Sequence, residues 1–538
     1  MFVPNKYQEA VFNNVECQND NIVVVARAGT GKTTTILQAV DLLDPDEDGT
    51  ILITAFNKAI QKELDSRAPS HVDVRTLHSL GYGCLKRVEN FQVDSDRTKR
   101  LIRKLIGGAG FAPGRQSALT RLVGLAKNTL TMDAPGLQAL AYAHGIDEPE
   151  NPAKLLAELT LVILEACKKD LAYIDFDDMI WLPAVMDLKP KCYDNVFVDE
   201  AQDLNACQRW MIEGTLRRGG RIIAVGDDRQ AIYKWRGAGG DVLTDIQNQF
   251  NATKLPLSLT YRCPKKVVAL AKRIVPDFEP LPDAPEGEVI YKSMDDISVE
   301  ATPGDLVLSR VNGPLLSICL SLIENDVPAK VRGKDIGKSL SALARKSKTT
   351  LTSELASWLK SYRAREKERL LPDHEDAFSI LQDKIYCLEI LLRKHTTVNE
   401  LCQKIEEVFS DTDSTGYVLC STVHKAKGME RPRVWVLADT FRLGSNREED
   451  NIYYVAITRA QKVLVFVGGG APIKSSGREA VSDKLDVLEQ EVEDVELEDD
   501  YWDEDEEDDV LCLPPHEEDE DEEDEDWGDD EDDEDLDW

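Results

Sequence analysis

Val23–Leu37 reads VVVARAGTGKTTTIL. A β-branched apolar run gives way to two closely spaced glycines, a lysine and a block of threonines, after which apolar residues resume. This order predicts a buried strand, a tight turn and the start of a helix. Such a loop cradles a triphosphate. Glycines let backbone N–H groups approach the phosphates, a lysine neutralises the β- and γ-phosphates, and a hydroxyl ligates Mg²⁺. Gly29, Gly31, Lys32 and Thr33 supply these parts, and Ala28, Thr30 and Thr34 complete the loop. The strict spacing places a glycine where Ala26 stands, and alanine suffices there if its φ need not be positive.

Outward from this loop the chain repeats the same kind of element. NIVVVARAG, GTILITAFN, DNVFVDEAQD, GRIIAVGDDRQ, GDLVLSRVN and RVWVLAD are short apolar runs bounded by Gly, Asp or Asn, and helical stretches alternate with them. They predict buried parallel strands and an α/β fold. At 538 residues the chain exceeds what one core holds. Two helical stretches interrupt the alternation, at 86–175 (SDRTKRLIRKLIGG, NPAKLLAELTLVILEACKKDL) and at 337–415 (TSELASWLKSYRAREKERLL, DAFSILQDKIYCLEILLRK). The expected organisation is a first α/β domain from 1–85 and 176–250 and a second from 251–336 and 416–475. Each is interrupted by one helical insertion, and a tail follows at 476–538.

The net charge of −36 belongs to that tail. Glu491–Trp538 holds 32 acidic residues and no Lys or Arg, which leaves −4 for everything before it and lets the body carry a basic groove. A segment of that composition cannot bury enough apolar surface to offset ordering, so a disordered tail is expected. No apolar run approaches the roughly 18 residues of a membrane span. The start MFVPNKYQEAVF lacks the basic-then-apolar layout of a secretory leader. The 11 cysteines are scattered without a CxxC pair. That argues against a disulfide framework, a zinc ribbon or an iron–sulfur cluster, and for a reducing cytoplasm.

In VFVDEAQD two acids sit just past a strand: Asp199 is placed to hold Mg²⁺ and Glu200 to polarise an attacking water. DEAQD, AVGDDRQAIYKWRGA, LTYRCP, TVHKAKGME and YYVAITRAQK together, in this order, resemble the UvrD/Rep-type superfamily 1 DNA helicases over about Pro4–Gly468. The resemblance implies two RecA-like P-loop domains with ATP and Mg²⁺ in the cleft between them and single-stranded DNA running across both. It also implies 3′–5′ stepping, cytoplasmic work on single strands and their junctions with duplex, and a monomer.

The resemblance further assigns single residues. Gln8 would read the adenine edge and Tyr261 would stack on the base. Gln230 would sense the γ-phosphate and Arg262 would reach it, while Arg459 would be an arginine finger from the second domain, so that each side of the cleft lends an arginine. Glu430 would contact the ribose, while Phe56, Asn57, Thr76, His78, Trp235, Thr422 and His424 would meet DNA. Tyr233 and Tyr454 are left without a firm role. Trp235 stands between Lys234 and Arg236, which favours a surface position. The acids of YIDFDDMIWL are expected to organise the first domain. The second insertion is short beside that of larger relatives, which leaves open a translocase that strips proteins from single strands without strong unwinding. A nucleotide switch whose tail recruits replication or repair partners is the other alternative. The tail, ending DEDLDW, could solvate, compete with DNA for the basic groove, or dock a partner through Trp538. The compact build suits a phage or a bacterium.

Overall fold

A computed structural model describes residues 2–468 except 19, 45, 108–113, 147–151, 233–240, 371–374, 393–394 and 411–414. The acidic tail with Trp538, and the segment carrying Tyr233 and Trp235, lie outside the described residues.

The apolar runs form two parallel sheets. The first has six strands in the order Val72–Thr76, Ile51–Ala55, Tyr193–Val198, Leu216–Gly226, Ile22–Ala26 and Thr253–Leu257. Ile22–Ala26 and Ile51–Ala55 are buried at every residue, as strands covered on both faces must be. The strand that feeds the phosphate loop therefore lies deep in the sheet, two strands from the one that carries the acidic box. The loop opens at the carboxyl ends of the strands, the edge where α/β sheets bind ligands. The second sheet has seven strands: Glu288–Lys292, Ala460–Val467, Arg431–Leu437, Leu306–Ser309, Val418–Thr422, Ala329–Arg332 and Phe409–Ser410.

One boundary differs from the sequence expectation. Thr253–Leu257, expected to open the second domain at 251, pairs in parallel with Ile22–Ala26 and closes the first sheet. Asn21 fixes this edge: its backbone carbonyl accepts from Thr253 N and its side chain donates to Phe250 O. The chain thus leaves the first lobe after Leu257.

The helical stretches are layers on the sheets. In the first lobe, Arg97–Ile106, Arg115–Thr129, Ala134–Ala143 and Ala153–Lys169 pack Leu101, Leu122, Leu156 and Ile163 into one core with Val23, Val196 and Ala224 of the sheet. A buried ionic cluster pins this layer. Lys127 pairs with Asp175 at 2.9 Å and with Asp178 at 2.9 Å, and Arg97 pairs with Asp178 and donates to Cys167 O. Asp175 and Asp178 also form the capping box of helix Phe176–Val185. In the second lobe, Lys334–Lys346, Thr352–Leu370, Glu375–Leu392 and Val398–Val408 bury Leu340, Leu355, Leu359, Ile385 and Leu401 with Val307, Val331 and Val418 of the sheet. Asp383 from this layer accepts from Asn312 N, Asn312 Nδ2 and Gly313 N at 3.1, 3.0 and 2.7 Å, and so caps helix Gly313–Glu324. The cysteines among the described residues are free thiols, and no described helix is long and apolar enough to cross a membrane.

Candidate functional site

The loop after Ile22–Ala26 turns twice through left-handed backbone, at Gly29 (φ 69°) and Gly31 (φ 80°), and Gly31 caps helix Lys32–Val40. A side chain at Gly29 would run into Arg262 and into Thr260 Oγ1. Both glycines therefore answer a geometric need. Among the described residues, the passage of the chain from the first lobe to the second runs alongside this loop. Tyr261 N donates to Gly29 O at 2.8 Å and Thr260 Oγ1 donates to Ala28 O at 2.8 Å. The crossing segment and the cradle are one hydrogen-bonded unit.

Lys32 Nζ lies 2.7 Å from Glu200 Oε1. Burial works against the ammonium, but Glu200, Asp199 and Asp227 outweigh it and hold its pKa above the usual value. Burial and the neighbouring Glu200 charge push Asp199 up, while the Lys32 charge, the Glu200 N–H and the Thr33 hydroxyl oppose that rise. Glu200 is held well down: burial is overcome by Lys32 and Lys427. Two adjacent acids with opposite shifts fit two different tasks. Glu200 also sits at φ 50°, a strained left-handed conformation for a residue with a side chain. Gln202 secures it by donating to its carboxylate and accepting from Asp227 N at 2.9 Å.

These residues fit Mg²⁺-ATP. The glycine cradle leaves backbone N–H groups unobstructed by Cβ atoms, and the Thr33 hydroxyl stands beside the single carboxylate of Asp199. Among the described residues no cluster of three or more His, Cys, Asp or Glu could hold an ion.

The second lobe closes the site. Arg459 is 1% exposed and donates to Val455 O at 2.8 Å and Gln230 Oε1 at 3.2 Å. Burial, then the nearby Arg262 charge, lowers its pKa to about 10. Gln230 Nε2 in turn donates to Asp227 Oδ2 at 2.7 Å. Lys427 pairs with Asp203 and donates to Gln230 O at 2.9 Å. Arg262 pairs with Glu430, which also accepts from Gln461 Nε2 at 2.8 Å. Gln8 is 1% exposed: Nε2 donates to Thr35 Oγ1 at 3.2 Å and Oε1 accepts from Tyr261 OH at 3.3 Å. Tyr261 keeps 47% of its surface in solvent. The structure therefore brings Gln8, Lys32, Thr33, Asp199, Glu200, Gln230, Tyr261, Arg262, Glu430 and Arg459 around one loop.

The residues expected at DNA divide into two kinds. Phe56 is 38% exposed at the end of Ile51–Ala55. Asn57 and Thr76 cap helices Lys58–Asp65 and Leu77–Lys86, accepting from Ile60 N and Ser79 N at 2.9 and 3.1 Å. His78 is half-buried, its pKa lowered by that burial. Thr422 is buried at a strand end, with His424 two residues on and half-buried. Several residues escaped the sequence reading. Phe176 packs edge-on to His78, centroids 6.5 Å apart, and is 41% exposed. Its signal was the aromatic in YIDFDD, read there only for its acids. Lys427 was visible in the motif HKAKGME, and Asp203 in DEAQD. Arg27 had no signal beyond its place inside a motif; Tyr454, singled out in the sequence near the cleft but without a firm role, does lie there, its hydroxyl accepting from Ala28 N at 2.9 Å.

Residues 6–251 match the family model of the UvrD/REP helicase N-terminal domain, and residues 326–468 match that of the UvrD-like helicase C-terminal domain. Among curated relatives, the chain is 26% identical over 528 residues to the F-box DNA helicase protein 1 of Schizosaccharomyces pombe, covering 84% of this chain and 56% of that protein. It is 25% identical to the ATP-dependent DNA helicase PcrA of Leuconostoc citreum (50% of this chain, 38% of that one). It is also 25% identical to DNA helicase II of Escherichia coli (50% and 40%). The chain thus spans between 38% and 56% of the length of these relatives.

Proposed function

The chain belongs to the UvrD/Rep-type superfamily 1 helicases, and on that premise we propose that it hydrolyses ATP between its two lobes to step 3′ to 5′ along single-stranded DNA. The observation that carries this reading is the contact of second-lobe Arg459 with first-lobe Gln230, beside the Lys32–Glu200 pair. Gln8 and Tyr261 hold the base, and the loop N–H groups with Lys32 hold the phosphates. Thr33 and Asp199 would hold Mg²⁺, which supplies positive charge to the phosphate oxygens.

Phosphate oxygens compete with Glu200 for the Lys32 ammonium. A Glu200 relieved of its principal cation gains basicity and can accept the proton of an attacking water. Arg459 and Arg262 bring fixed positive charge to the γ-phosphate from the second lobe. Hydrolysis therefore requires the lobes to be together, and the crossing segment bonded to Gly29 and Ala28 carries the change to the DNA face. There Phe56, His78 and Phe176 of the first lobe and Thr422 and His424 of the second contact the strand. Trp235 is a further stacking candidate, outside the described residues. The acidic tail docks a protein partner or competes with DNA. The residues around the loop act as one unit, and the domain scheme (two lobes, each with one insertion) is the frame that moves.

The test is ATPase activity with and without single-stranded DNA. Stimulation is expected, and Glu200→Gln should lose about 10²–10⁴-fold in kcat while still binding nucleotide. Unstimulated turnover would overturn the translocase reading and favour a nucleotide switch. A labelled fork, bare or carrying a bound protein, separates strand opening from protein displacement.

A further inference from the structure

Arg27 stands inside the phosphate loop, is 7% exposed, and spends every nitrogen of its guanidinium on carboxylates. Nε and Nη2 form a fork on Asp277 at 3.1 and 2.8 Å. Nη1 donates to Asp228 at 2.6 Å and to Asp227 at 3.2 Å. Asp277 belongs to the second lobe, since it adjoins Val275 and Phe278 in that lobe's core. Asp227 and Asp228 belong to the first lobe and lead into Gln230.

The pairing continues back across the cleft. Second-lobe Arg447 donates to Asp228 Oδ2 at 2.7 Å, and Asn451 donates to Asp228 O and Ala231 O at 3.2 and 3.1 Å. Tyr454, wholly buried on the same helix, accepts from Ala28 N at 2.9 Å and reaches Asp227 Oδ2 at 3.4 Å. Asp277, Arg27, Asp228 and Arg447 thus alternate in charge, with the first-lobe pair Arg27 and Asp228 held between second-lobe residues at both ends. Asp227, in the same network, orients Gln230 through its 2.7 Å bond. None of these contacts needs a nucleotide, and each Arg27 nitrogen already faces a carboxylate.

We propose that Arg27 is a positioning residue for hydrolysis: with Asp277 it registers the second lobe on the phosphate loop before ATP arrives, so that Gln230 and Arg459 are already in place. This rests on the nucleotide site described above. If the lobes are registered beforehand, ATP need not supply that ordering itself, and its apparent affinity is higher for it.

Asp277→Asn tests this with little risk to folding, because the Asp277 side chain is 48% exposed at the rim of the network. It keeps the shape and removes the charge. The expected result is a rise in KM for ATP of about fivefold, with kcat at saturating ATP and single-stranded DNA unchanged. In the nucleotide-free protein, the distance between one spin label on each lobe should spread, and a non-hydrolysable ATP analogue should narrow it again. An unchanged KM with an unchanged distance distribution overturns the proposal. So does a lower KM, which would make the contact a brake, or a fall in kcat alone, which would place Asp277 in the chemistry. Wild-type activity without DNA stimulation would instead sink the translocase reading, a separate result read from a separate sample.

Discussion

Replacing Lys127 by Met should destabilise the first lobe by about 3–5 kcal/mol at pH 7, the usual cost of removing one partner from a buried ion pair. Lys127 is 1% exposed and lies 2.9 Å from both Asp175 and Asp178. Burial alone would raise the Asp175 pKa, yet Lys127, the Thr98 hydroxyl and Asp178 bring it down to about 2. Against an ordinary value of 3.8, that difference corresponds to about 2 kcal/mol. The folded pKa is the lower one, so this stability is present above about pH 4 and is lost as pH falls toward 2. Desolvation of the abandoned Asp178, wholly buried and raised by burial, accounts for the remainder. Lys127→Met combined with Asp175→Asn should recover much of the loss. Asparagine still caps helix Phe176–Val185 and brings no charge. Urea denaturation gives the energies, and hydrogen exchange in Arg97–Ile106 and Ala153–Lys169 shows whether this layer is what loosens. A single variant that loses under about 1 kcal/mol, or a double variant showing additive losses, would refute the reasoning.

Two further predictions concern the same helix. Burial, with some help from Asp175 and Asp178, raises the Asp177 pKa to about 6; a raised acid opposes folding as pH climbs from about 4 to 6, so Asp177→Asn should stabilise the protein by about 1–2 kcal/mol at pH 7, discounted for partial exposure, and by nothing at pH 4, as read from denaturation at the two pH values. Phe176→Ala should weaken single-stranded DNA binding about tenfold, within the roughly 1–3 kcal/mol of a base–aromatic stack, with KM for ATP unchanged; equal DNA affinity by fluorescence anisotropy would remove Phe176 from the DNA face.

The gathering of the phosphate loop and the acidic box into one candidate site was legible because its pattern is local. Gly29 to Thr33 and Asp199–Glu200 are short patterns on strand ends, where residue type and spacing carry the geometry. Asn57 and Thr76, expected at DNA, carry a second role that the motif reading did not announce: each also has the composition of a helix cap, and both serve as caps. Thr253–Leu257 was assigned across a boundary because a strand's sequence records its apolar pattern and not its neighbour. The Arg27 network lay beyond reach for a different reason. Its partners at 227, 228, 277 and 454 are brought together only by folding, and nothing near Arg27 in sequence announces them.

The shared core of the second insertion and its sheet has a mechanical consequence. Swivelling those helices as a separate arm would return Leu340, Leu355, Leu359, Ile385 and Leu401 to water, at about 1.5–3 kcal/mol for each side chain, and would strip Asp383 from the turn it caps. Thermal energy does not reach that sum. On the proposed mechanism the insertion therefore travels with its lobe, and among the described residues the lobes are joined by the peptide that threads past Gly29.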